Sequence, residues 1–195
     1  MPSLRTSGLV KALLTLKAVW DGYIRRVPCP CNFLPVEVLD RENIVRAIFY
    51  SVHVRKNGTL KWQAFKPSQG TDEISVMRLD YMTPTTCKRK AKGMENPPDK
   101  LYRGLVVLAT GAVRAKGMAV TDSRCEYCGH AHISTGVSFK SSSVAEPPDP
   151  AEIENMKARA EELLLISKYY PDSISSSDDW PRDIALVPPQ GFLHP

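Results

Sequence analysis

The sequence predicts an α+β fold, with a small mixed or antiparallel sheet, short helices and a C-terminal amphipathic helix. Two kinds of signal carry this. Apolar runs rich in β-branched residues lie at 44–54 and 105–109, and helix-start signatures stand at Thr83-Pro84 and at Asp149-Pro150-Ala151-Glu152. Runs of the first kind pack well on a pleated, buried surface. Signatures of the second kind supply a capping oxygen, and proline at the first helical position needs no backbone donor.

In chain order, residues 1–35 read as an N-terminal arm. Leu9, Leu13, Leu16, Trp20 and Tyr23 recur there at helical spacing, and the arm ends in the proline-rich Cys29-Pro30-Cys31. A compact body spans 36–138. Within it, Ile44 to Val54 is a buried strand, Lys56-Asn57-Gly58-Thr59 a tight turn, and Leu60 to Phe65 the returning strand of a hairpin. Ile74 to Tyr81 is a third strand, followed by a helix from Thr83 through Lys92 that stops at Gly93. Leu105 to Ala109, Met118 to Thr121 and His130 to Thr135 are further strands, with a brief helix over Thr110 to Lys116. Residues 139–149 have linker composition, and 150–170 form a helix whose apolar stripe is Ile153, Met156, Ala160, Leu163 and Leu164. Residues 171–195, rich in Ser, Asp and Pro, are a flexible or draped tail.

Charge is divided unevenly. The chain has 195 residues and a net charge of +5. Residues 1–117 carry +11 and residues 118–195 carry −6. The basic part suits a polyanionic partner, with Lys88, Arg89, Lys90 and Lys92 as candidate nucleic-acid contacts on one helix. The alternative is that the acidic C-terminal part neutralises the basic part inside the fold. No apolar run reaches 18 residues, and Lys11 and Lys17 interrupt the apolar Leu9 to Trp20. Neither a membrane span nor a secretion signal is therefore expected, and the location expected is cytoplasmic.

The chemically pointed segment is Cys125-Glu126-Tyr127-Cys128-Gly129-His130-Ala131-His132. Two cysteines two residues apart, closed by a glycine, suit a zinc knuckle. The remaining ligands would come from Cys29, Cys31, His130 and His132. If the segment after Gly129 is extended, His130 and His132 share one face while Ala131 and Ile133 turn to the core. Zinc is the cofactor this pattern points to, in a closed structural site. Asp122 and Glu126 are the nearby carboxylates that a catalytic site would draw on. Arg46 and Arg114 stand amid apolar neighbours and must pair or line a cleft. An ion pair of Arg46 with Asp40 or Asp80 is the bland expectation.

The run Val45-Arg46-Ala47-Ile48, then Ala64-Phe65, Ser75-Val76, Gly111-Ala112-Val113-Arg114, His130-Ala131-His132-Ile133 and Gly136, resembles an uncharacterised group of small bacterial proteins. The resemblance covers about half the chain and supplies no activity. It implies that Arg46, Ser75, Arg114 and His130 matter more than their neighbours. Relatives in that group have a proline-type turn where this chain has Cys125 and Cys128, which makes a zinc staple a local addition.

The function expected from these readings is a non-enzymatic accessory protein of a bacterial multi-component system, zinc-stabilised and contacting a protein or nucleic-acid partner. The alternative is an enzyme with a site lined by His130, His132, Arg46 and Arg114, either a zinc-dependent hydrolase or a protein like an ADP-ribosyltransferase.

Overall fold

The computed structural model describes residues 31, 33–138 and 149–189. The arm before Cys31, its periodic helix, Cys29 and most of the 139–149 linker lie outside the described residues. The fold is α+β, built on one six-stranded antiparallel sheet. Its strands are β1 (Asn43–Tyr50), β2 (Glu73–Arg78), β3 (Leu101–Ala109), β4 (Ala119–Asp122), β5 (His130–Ser134) and β6 (Lys168–Pro171), in the order β4-β5-β2-β1-β3-β6. The helices are α1 (Pro84–Lys92), α2 (Thr110–Ala115) and α3 (Pro150–Leu165).

Alternation along the central strands sorts side chains onto two faces, each with its own core. Ile44, Ile48, Ile74, Val76, Val106, Leu108, Ala131 and Ile133 form one core, which takes in Ala160 and Leu163 of α3 and Phe65. Val45, Ala47, Phe49, Met77, Leu105 and Val107 form the other, closed by Cys87 and Ala91 of α1 and by Tyr170 and Trp180.

The helix starts follow their signatures. Thr83 Oγ1 accepts from Thr86 N at 3.2 Å and Pro84 opens α1. Asp149 Oδ1 accepts from Ala151 N at 2.9 Å and Pro150 opens α3. Two elements differ from expectation. Residues 60–65 are no strand: only Val54 and Leu60 bridge, and Trp62–Phe65 is a 3-10 turn. Past Val45 the edge of β1 away from β3 takes no strand partner, and the Arg46 guanidinium instead bonds Ala64 O and Ser75 O there. The helix read over 150–170 stops at Leu165, and Lys168–Pro171 becomes β6, pairing with Gly104 to Val107. Tyr169 and Tyr170 fit a pleated edge better than a helix end.

The described part of the tail is draped over the second core. Trp180 Nε1 donates to Ile184 O at 2.6 Å, and Tyr170 Oη donates to Val187 O at 2.6 Å. Among the described residues no helix is long and apolar enough to cross a membrane.

Candidate metal centre

β5 sits between β4 and β2, and its pairing fixes what its side chains meet. His132 stands opposite Ser75, and His130 opposite Met77. As the alternation predicts, both imidazoles occupy one face, with ring centroids 4.5 Å apart, while Ala131 and Ile133 enter the first core. The turn before β5 is tight. Ser123 N donates to His130 O at 3.0 Å and Arg78 N to Gly129 O at 2.7 Å. Gly129 has φ +80°, and a Cβ there would stand 2.6 Å from Met82, so glycine is required on both counts.

That turn swings Glu126 over the two histidines. His132 Nε2 lies 2.9 Å from Glu126 Oε1, and His130 Nδ1 lies 3.3 Å from Glu126 Oε2. One ligand atom from each of the three residues falls within 4.8 Å of the other two. Tetrahedral zinc ligands at roughly 2.0 Å from the metal stand about 3.3 Å from one another, so these separations fit a ligand set, as they also fit the hydrogen bond and ion pair the carboxylate makes by itself.

The outer nitrogens and their neighbours fit the same arrangement. His130 is 1% exposed, and its Nε2 meets Ser75 Oγ at 3.1 Å. Its Nδ1, turned toward Glu126, is buried and makes no hydrogen bond. His132 Nδ1 is likewise buried without a hydrogen bond, with Glu73 Oε2 3.9 Å away. Ligating histidines are held by a partner on their other nitrogen, and Ser75 and Glu73 stand where such partners belong. Burial lowers the pKa of His130, which keeps its ring neutral. Burial raises that of Glu126, but hydrogen bonds from His132 and Ser123 outweigh it and the net shift is downward. A neutral imidazole and an ionised carboxylate are the forms that bind metal.

The other candidates have different surroundings. Cys128 forms a disulfide with Cys31, with Cα atoms 5.4 Å apart, and Cys125 is exposed. A disulfide sulfur is not a thiolate, so in this structure neither Cys31 nor Cys128 offers the metal ligand that the knuckle reading asked of it. Disulfides last in oxidising compartments and are reduced in the cytosol, so this bond stands apart from the expected cytoplasmic location. Its structural role is clear, since it pins residue 31 to the turn that carries Glu126.

Arg114 is ion-paired with Asp40 and donates to Val38 O at 2.6 Å and to Val120 O of β4 at 3.2 Å, with no contact to the histidines among its bonds. Arg46 pairs with neither Asp40 nor Asp80; its Nε donates to Ala64 O and its Nη1 to Ser75 O at 2.8 Å. Burial pulls its pKa down to about 10, and among the described residues it makes no ion pair. Of the four residues the resemblance singles out, Arg46, Ser75 and His130 therefore adjoin one another and Arg114 does not.

The basic run on α1 is largely committed to the fold. Lys88 is fully buried, 2.7 Å from Asp172 Oδ2, and also donates to Ile174 O and Asp179 O. Arg89 pairs with Asp179 and Lys92 with Asp178. Three of the four candidate nucleic-acid contacts thus clamp the acidic tail, as charge neutralisation within the fold requires. Lys90 turns the other way, its Nζ 4.7 Å from the centre of the Tyr127 ring.

Sequence reasoning named Glu126, with Asp122, only as a nearby carboxylate and not as a partner of the histidines, and it missed Glu73. The signal for Glu126 was its place four residues before His130, inside a segment whose glycine marks a turn; Glu73 is visible only through strand register. No family model matches the chain, and no curated protein or solved structure matches it.

Proposed function

We propose that Glu126, His130 and His132 bind a divalent transition metal, with zinc the first choice, and that the protein uses it in hydrolysis. The observation that carries this reading is a pair of imidazoles converging on one carboxylate, with His130 Nδ1 buried, turned toward it and making no hydrogen bond. Two histidines and one carboxylate are a ligand set that suits zinc and leaves a coordination position for water. Glu126 is half-exposed at 55%, so solvent and substrate reach the metal from its side. Ser75, exposed beside His130, and Arg46, hydrogen-bonded to the Ser75 carbonyl, border the open side.

A metal in such a position lowers the pKa of bound water toward neutrality and makes it a nucleophile. This favours the hydrolase reading over the accessory one, because a purely structural zinc has four protein ligands and no open position. The test is metal content and turnover together. Protein freshly purified without chelator should carry close to one equivalent of zinc by elemental analysis, and the zinc-loaded form should hydrolyse activated esters. Chelation should abolish that activity and added zinc restore it. Stoichiometric zinc with no turnover would return the centre to the structural role of an accessory protein; no zinc uptake in the folded protein would end the reading.

A further inference from the structure

Resting on that metal centre, we propose that the substrate is anionic, a phosphate ester, and that Lys90 holds its phosphate in the groove beside the metal. The groove runs along α1 and has a volume of about 560 Å³, in the range of small-molecule sites. Thr86, Arg89, Lys90, Gly93, Met94 and Tyr127 line it. None of the three metal ligands lines it; Tyr127, which does, touches both neighbours, with Lys90 Nζ 4.7 Å from its ring centroid and the His130 ring centroid 4.5 Å away.

Charge selects the ligand. The carboxylates facing the metal are Glu126 and Glu73, and a zinc ion offsets both. Lys90 then stands in excess, since among the described residues it has no ion-pair partner, whereas Arg46 donates to Ala64 O and Ser75 O and does not line the groove. Arg89 adds a second cation, shared with the exposed Asp179 at 3.1 Å. A phosphate takes charge-assisted hydrogen bonds from the Lys90 ammonium, and a zinc held by Glu126, His130 and His132 would supply the Lewis acid and the activated water. Water is the co-reactant. Its oxygen bonds to phosphorus, the ester P–O bond breaks, and the proton it releases ends on the leaving alcohol. The apolar floor of Met94 and Tyr127 accommodates the organic part of the ester.

Isothermal titration of the zinc-loaded full chain with inorganic phosphate tests this. Phosphate should bind, more weakly as salt is raised, and Lys90→Gln should weaken binding by about tenfold or more while zinc content stays unchanged. Lys90 is exposed, so the variant should fold as the parent does. Absence of phosphate binding by the zinc-loaded protein, or equal affinity in Lys90→Gln, would overturn the subsite. If no zinc binds at all, the metal reading fails by itself. Phosphate titration of the metal-free protein then decides the subsite: Lys90-dependent binding supports it, and binding that is absent or unaltered by Lys90→Gln overturns it.

Discussion

Two buried polar clusters lie on either side of the same turn, and they differ in one respect. Arg78 itself is fully met, although Nη2 of the adjoining Arg124 is buried without a hydrogen bond. The Arg78 guanidinium, fully buried, engages Glu42 at 2.8 and 2.9 Å, Asp122 at 2.8 Å, and the carbonyls of Pro35 and Glu37. Around His130 and His132 the polar groups are brought together and left incomplete, each ring with one buried nitrogen lacking a hydrogen bond. Native interiors pair their buried polar atoms, so the first cluster is the ordinary case and the second calls for a ligand. The contrast separates what holds the fold from what the fold holds out for another molecule.

The largest effect should come from breaking the Arg78 cluster. Arg78→Met strands Glu42 in the interior and leaves Asp122 with Arg124 alone, and should cost about 3–5 kcal/mol of unfolding free energy, read by urea denaturation. Whatever fraction stays folded should keep its zinc, because Arg78 touches none of the three ligands. Lys88→Met, which strands the buried Asp172, should fall in the same range.

The opposite pattern is expected on the other side. His130→Ala should remove zinc binding, while the metal-free variant should lose less than Arg78→Met does, about 2–3 kcal/mol, from the cavity and the lost Ser75 hydrogen bond. A loss of stability as large as that of Arg78→Met would erase the distinction between the clusters. Smaller still is the change expected from the supporting residues. Glu73→Gln should weaken zinc roughly 10-fold to 100-fold by equilibrium competition with a chelator, without changing its stoichiometry.

A third imidazole sharpens the comparison through pH. His53 is buried, and its Nδ1 accepts from Phe49 N at 3.3 Å. Burial, then the charges of Arg46 and Lys100, push its pKa from 6.5 down to about 3. The unfolded chain therefore takes a proton below pH 6.5 that the folded chain refuses. Its contribution to stability is present above pH 6.5 and is lost as pH falls toward 3. Thermal melts should show that slope in metal-free protein, and His53→Gln should flatten it; an unchanged slope would reject the assignment.

Local patterns were readable in the sequence, and long-range choices were not. Thr83-Pro84, Asp149-Pro150 and the alternation through His130 to Ile133 each act within a few residues, and each element forms where those residues place it. Leu60 to Phe65 has strand composition too, but whether it pairs depends on what stands beside β1, here the Arg46 side chain bonded to Ala64 O and Ser75 O, which no local pattern records. The site divides the same way. That His130 and His132 share a face follows from period two; that Ser75 stands opposite His132 and Glu126 folds back over both follows from register and turn geometry. The basic run on α1 looked like a free surface because its acidic partners, Asp172, Asp178 and Asp179, lie more than 80 residues further along the chain.

The central claim is that the incomplete cluster is a metal site, and a direct zinc titration tests it most plainly. Metal-free wild-type protein should take up one equivalent of zinc, and His132→Ala, folded by circular dichroism, should take up none at the same concentration. Uptake that is absent in the wild type, or undiminished in His132→Ala, would contradict the account.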